Sequence, residues 1–226
     1  MIPAPPRAEL VFDVPDGRLA FSEGDMDRWA EHLAWCYRLL GVGEGATIAV
    51  QDFGASPLSF LGSRLLMPTL EAGVAERLGG RMICLDASEE RVLLTPAVIG
   101  QLQPDVLVVR ADVLGLLLEV GRGAGVDLAG VNGIVCVRGD GPVGRPGERW
   151  RYLLYVESCL LLAPECTACR SFHLRAGFYR LREGVIENHR FASALPHEFR
   201  SLAVAEGVCE MGAEDRRIRI PLDGEE

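Results

Sequence analysis

The sequence predicts an α/β fold: a mostly parallel sheet with crossover helices, followed by a short antiparallel C-terminal region. Two observations predict it. Short apolar runs at 47–50, 82–85, 106–109 and 134–137 alternate with longer stretches of helical period, as crossover units do. After Arg138 the alternation stops, and glycine, proline and short strand-like runs take over. The expected division is a flexible arm at 1–8, an α/β domain at 9–150, and an antiparallel extension of the same domain at 151–226.

The elements follow in order. Residues 1–8 are rich in proline and read as a loose arm. A helix opens at Ser22, with Ser22 or Asp25 as its cap, and sets Met26, Trp29, Leu33, Cys36, Tyr37 and Leu40 on one face. Gly41 closes it, and Thr47–Val50 forms a buried strand. A helix over Pro57–Leu78, with Pro68 as a break point, leads to a strand at Met82–Leu85. A helix at Glu89–Leu102 leads to Val106–Val109, and a helix from Asp112 to Val120 leads to Ile134–Val137. The loop Gly139–Gly147 has two prolines and no following helix, so a surface turn suits it better than a phosphate cradle. Trp150–Val156 is a further strand. Phe178–Leu181 and Val185–Ile186 form a hairpin across Arg182-Glu183-Gly184, and the charged tail beyond Cys209 is expected at the edge of the fold.

Composition narrows the function. The 226 residues are 49% hydrophobic and 24% charged, which is ordinary for a globular protein. No apolar run reaches the roughly 20 residues of a membrane span and no secretory leader opens the chain, so a soluble cytoplasmic protein with no membrane partner is expected. Twenty-three basic residues face 32 acidic ones, for a net charge of -9, and no basic stripe marks a nucleic-acid partner. Every basic residue is arginine. Without lysine, neither Schiff-base chemistry nor a phosphate-loop lysine is available.

Seven cysteines without a secretory signal argue against a disulfide framework. Cys36, Cys84 and Cys136 fall in apolar patterns and read as core. His32 stands beside Glu31 and reads as solvent-exposed. No G-x-S-x-G elbow is present, and Gly54-Ala55-Ser56 reads as a helix cap. The sharpest local signal is Glu165-Cys166-Thr167-Ala168-Cys169-Arg170-Ser171-Phe172-His173. Two thiols at this spacing can share a tetrahedral ion with His173, and Cys209 is the best fourth ligand, with Cys159 in reserve. Structural zinc, free thiols in a partly buried loop and a reactive Cys–His pair are the three readings. The last has no evident third group to orient the histidine.

The stretch 157–179 resembles the phenylacetate–coenzyme A ligase branch of the adenylate-forming acyl-CoA synthetase superfamily. The matching residues are Glu157 at a strand end, the pair Glu165-Cys166, then His173 and Phe178-Tyr179. Upstream, Leu39-Leu40-Gly41-Val42, Gln103-Pro104-Asp105-Val106 and Leu128-Ala129-Gly130-Val131 resemble the family's turns into strands, so the resemblance covers most of residues 9–212. It implies a fold like part of the large N-terminal domain of adenylate-forming enzymes. It also implies a zinc knot of Cys166, Cys169, His173 and Cys209, with Met211 standing where some relatives carry a second downstream thiol.

The departures bear on activity. Residues 9–17 lack the hydroxyls and lysine of the family's phosphate loop, and Leu153-Leu154-Tyr155-Val156 replaces its tyrosine–glycine motif. Ala205-Glu206-Gly207 is the nearest match to its ribose-binding motif. A carboxylate attacking a phosphate needs positive charge to offset the repulsion, so ATP-dependent ligation is not expected, and ATP is not an expected cofactor. The resemblance implies a truncated, non-adenylating homologue that binds an aryl or acyl ligand, its CoA thioester, or a pathway partner. The alternatives are an enzyme reusing the acyl pocket for transfer, condensation or cyclisation, with Glu157, Cys159 or His173 as catalytic candidates, and a structural subunit docking through the apolar surface 53–67. A homo-oligomer is a further possibility on this reading.

Overall fold

A computed structural model describes residues 10–14, 17–128, 130–138, 144–191, 194–199, 202–205, 208–211 and 215–220. The arm at 1–8, residues 139–143 of the Gly139–Gly147 turn and the Glu206-Gly207 pair lie outside them.

The first described element is an antiparallel hairpin of β1 (Leu10–Val14) and β2 (Gly17–Phe21), where no strand was expected. Phe12 stacks on Phe60 and Phe21 on Trp29, so aromatic packing against the core holds this two-stranded ribbon. α1 (Glu23–Leu39) starts where the sequence places it. The Asp25 amide donates to Ser22 Oγ at 3.3 Å and the Ser22 amide donates to Asp25 Oδ2 at 3.0 Å, a reciprocal capping box. All six residues of the predicted apolar face are buried.

β3 (Thr47–Gln51) follows, but the long helix expected over 57–78 does not form. Only α2 (Pro57–Phe60) and α3 (Val74–Arg77) are helical. Between them the chain doubles back, with the Val74 and Ala75 amides donating to the carbonyls of Leu61 and Gly62. Glu76 fixes the turn by accepting from Ser63 Oγ at 2.6 Å and the Gly73 amide at 2.9 Å. Local carboxylate and hydroxyl bonds thus replace the helical ladder.

β4 (Arg81–Leu85) leads to α4 (Glu89–Val92) and α5 (Thr95–Leu102), a pair where one helix was expected. Pro96 has no amide to continue the first helix. Thr95 Oγ1 donates instead to Gln51 Oε1 at 2.6 Å, which ties the break to the sheet. β5 (Val106–Arg110), α6 (Ala111–Gly123), β6 (Gly133–Arg138) and β7 (Trp150–Val156) follow as predicted within a residue or a few.

β4-β3-β5-β6-β7 are parallel neighbours, and β8 (Leu161–Pro164) closes the sheet antiparallel to β7. β4 is therefore an edge strand, and Cys84 on it is exposed rather than core; Cys36 and Cys136 are buried. Beyond it come β9 (Phe172–Leu174), β10 (Tyr179–Arg182), β11 (Val185–Asn188), β12 (His197–Glu198), β13 (Ala203–Val204) and β14 (Arg216–Arg219). The predicted hairpin is β10–β11, turned by Glu183 and Gly184 at φ 48° and 85°.

Two further expectations are corrected. The described part of the charged tail at 215–220 is not at the edge: β14 is the middle strand between β13 and β9, and Ile218 is fully buried. His32 is not exposed. It is fully buried, with Nε2 3.1 Å from the Leu162 carbonyl and 2.9 Å from Tyr179 Oη. Trp29, Leu33 and Cys36 set the inward face of α1, and His32 is one turn from Trp29 and Cys36, so helical phase overrides its charged neighbour Glu31. One contiguous core runs from Leu19 to Ile220 and joins the parallel and antiparallel parts.

Candidate functional site

After β8 the chain makes a tight knuckle. Glu165 bridges Phe172, the Cys166 amide donates to the Ser171 carbonyl at 2.9 Å, and the Arg170 amide donates to the Cys166 carbonyl at 3.1 Å. Arg170 takes the left-handed conformation, φ 56°, to close it. The Ala168 amide donates to Cys166 Sγ at 3.4 Å, which stabilises charge on sulfur. β9 then carries His173 alongside, and the segment ahead of β14 brings Cys209. Cys166 Sγ lies 3.7 Å from Cys209 Sγ, and Cys169 Sγ lies 3.3 Å from His173 Nε2. The ligand atoms of Cys166, Cys169, His173 and Cys209 all fall within 4.8 Å of one another.

This donor set fits zinc. Zn–S bonds of about 2.3 Å in a tetrahedron set sulfurs about 3.8 Å apart. The Cys166–Cys209 spacing of 3.7 Å meets that. A glutamate anchors the knuckle from behind: Glu165 is buried, pairs with Arg145 at 2.9 Å and Arg170 at 3.5 Å, and accepts from the Tyr152 amide at 3.0 Å.

Sequence reading missed the residues around these four. Asp215 Oδ2 lies 3.3 Å from His173 Nδ1, so a third group does orient the histidine. Arg217 stands opposite His173 in the β9–β14 ladder and hydrogen-bonds Cys169. The signal was present in the alternation Arg217-Ile218-Arg219-Ile220, which is strand-like inside a charged run. A carboxylate on the far nitrogen of a ligating histidine fixes its tautomer and raises its basicity. An arginine offsets the net negative charge of three thiolates around a dication.

The electrostatics agree with that chemistry. Burial pushes the Cys166 thiol up. Burial opposes ionisation of Cys169 too, but hydrogen bonds from His173, the Ser171 amide and Arg217 outweigh it and pull the thiol down to about 6. His173 moves up against its own burial because Asp215 and Cys169 favour its charged form.

The other catalytic candidates lie elsewhere. Glu157 and Cys159 follow the carboxyl end of β7, whereas Cys166 lies past the far end of β8, on the order of 15 Å away along the strand. Cys159 is fully buried 3.7 Å from the Val156 carbonyl, and burial pushes its thiol up to about 12. Half-buried Glu157 accepts from Tyr155 Oη at 3.4 Å and borders a cavity of about 60 Å³ walled by Phe12, Leu19, Trp29, Pro57 and Tyr155. Trp29 Nε1 is buried with no hydrogen-bond partner among the described residues. Nearby, Arg110 pairs with Asp52 and Asp112 and lies over the Phe53 ring. The knuckle and the cavity thus occupy opposite edges of one sheet.

Solved structures share this architecture. An open conformation of 2-hydroxyisobutyryl-CoA ligase, in complex with 2-HIB-AMP and CoA, superposes with a TM-score of 0.69 at 12% identity, over 95% of this chain and 52% of that one. The fold is that of about half a CoA ligase. The postadenylation state of the same ligase gives a TM-score of 0.68 at 12% identity, over 95% and 51%. Its thioesterification state gives 0.66 at 11%, over 94% and 49%. The chain therefore spans about half the length of these CoA ligases, and the likeness is one of fold. No family model matches the sequence, and no curated protein does. In this CoA-ligase fold the cavity beside Glu157 opens where parallel sheets commonly bind ligands, at the carboxyl ends of the strands.

Proposed function

We propose that the chain is a non-adenylating relative of the phenylacetate–CoA ligase branch. It binds an aryl or acyl group, free or as a thioester, at the carboxyl edge of the sheet, and it holds a structural zinc ion at the other edge through Cys166, Cys169, His173 and Cys209. The observation that carries this reading is the aromatic-walled cavity beside Glu157 in a CoA-ligase fold. At about 60 Å³ the cavity holds a water or two, against about 150 Å³ for a benzene-sized void, so an aryl ligand enters only as the β1–β2 wall shifts outward. The phosphate chemistry is what the residues lack: positions 9–17 carry no serine or threonine, and the chain has no lysine.

Native mass spectrometry of the purified protein, paired with ATP–pyrophosphate exchange, tests both halves. The expected result is one zinc per chain, a retained or added acyl or aryl species, and no exchange above background with any aryl acid. Exchange with an aryl acid overturns the non-adenylating reading, and a metal-free folded chain overturns the zinc reading. A second reading, a subunit of a hetero-complex, is favoured by the apolar side chains of Phe53, Leu65 and Leu66, which are 45%, 89% and 49% exposed. It predicts a stable complex and no small-molecule binding.

A further inference from the structure

A groove of about 620 Å³ opens at the amino-terminal edge of the sheet, the edge away from Glu157. Its floor is apolar: Leu40 at the end of α1, Val106 at the start of β5 and Ile134 in β6. Its wall carries Arg149, Arg151 and Arg170, with Glu148 as the lone acidic residue among those lining it. In a chain of net charge -9 this is a local reversal of sign.

The arginines are unevenly neutralised. Arg170 pairs with Glu165, which also serves Arg145. Among the described residues no carboxylate pairs with Arg149 or Arg151. Among the described residues Arg149 donates only to the Gly130 carbonyl, at 3.3 Å. Arg151 Nη1 is fixed by the carbonyls of Glu148 at 2.6 Å and Trp150 at 2.9 Å, and its Nε is buried with no partner. Burial, and then the charges of Arg170 and Arg145, make Arg151 less comfortable as a cation, with Glu165 in partial opposition. An anion in the groove would offset the unbalanced positive charge of Arg149 and Arg151.

We propose that this groove binds a small phosphomonoester bearing an apolar group, the phosphate between Arg149 and Arg151 and the apolar part on the Leu40–Val106–Ile134 floor. Guanidinium forks match phosphate oxygens in geometry and charge, and the volume falls within the roughly 300–1,000 Å³ of small-ligand sites. The position is independent of the acyl reading, since Gly133 and Trp150 begin β6 and β7 while Glu157 follows the other end of β7.

Calorimetric titration of the full chain with phenyl phosphate at low ionic strength tests the proposal, with inorganic phosphate as the apolar-free comparison. Saturable one-to-one binding is expected, tighter for phenyl phosphate. Arg149→Gln, an exposed position that leaves folding intact, should weaken it several-fold, and R149Q/R151Q at least about tenfold. Glu157→Gln should leave it unchanged. Absence of saturable binding, equal affinity in R149Q, or loss of binding in E157Q would each overturn the assignment, the last by moving the ligand to the opposite edge.

Discussion

His32 is a histidine that the fold has made neutral. Burial, and then the charge of Arg175, hold its pKa down at about 3, with the Leu162 carbonyl pulling weakly the other way. In the unfolded chain it titrates near 6.5, so below that pH the unfolded state binds the extra proton and the folded state does not. His32 therefore costs no stability above pH 6.5 and progressively more as pH falls towards 3, about 2 kcal/mol at pH 5. Its ring signals in NMR should stay in the neutral form from pH 8 to 5 while the protein remains folded, and a midpoint near 6 would contradict the buried geometry. The sequence concealed this because its immediate neighbour Glu31 is charged, although the phase of Trp29 and Cys36 already pointed the residue inward. The four metal-ligand candidates were legible for the opposite reason. A thiol pair two apart with a histidine at short range is a local pattern, and local patterns survive in one dimension. Asp215 and Arg217 reach the same centre only through strand pairing, which one dimension does not record.

At the scale of elements, hydrophobic period marked the five parallel strands β3 to β7 and the helix with Ser22 at its cap, but not the antiparallel β8. It failed where polar side chains capture the backbone, as Glu76 does at the Gly73 turn, and where a short ribbon depends on distant aromatic partners, as β1–β2 does. The start of β6 shows how tightly these elements fit. A Cβ at Gly133 would fall within the Trp150 ring, and that indole is held in place by its Nε1 donating to the Leu128 carbonyl at 3.3 Å. Gly133→Ala should cost about 1–3 kcal/mol through overpacking, read as a lower urea midpoint with unchanged m-value. A neutral result would mean that β6 and β7 slide apart more freely than their six-residue register implies. Gly41 is a second such point. Its φ of 87° turns the chain out of α1, and a Cβ there would press on Thr167 Cγ2 at 3.3 Å, so the end of this helix and the knuckle are fitted to each other.

For the whole molecule, the sheet core and the C-terminal strands share one hydrophobic cluster, but the antiparallel part is made of strands of two to four residues. Such strands bury little on their own, and metal ligation supplies folding free energy directly where a core is thin. Chelation should therefore act regionally. Hydrogen exchange after metal removal is expected to rise across 166–175 and 203–220 while β3, β5 and β6 stay protected. Uniform loss of protection would instead make the molecule one cooperative unit. The place of β14 between β13 and β9 also sets an order in time. As the chain leaves the ribosome, Cys166, Cys169 and His173 emerge first and wait, three donors with no fourth, while the whole β10–β11 hairpin is made. Only when Cys209 and the strand behind it arrive can the four donors meet, so on the zinc reading the centre would close after the hairpin and not before it.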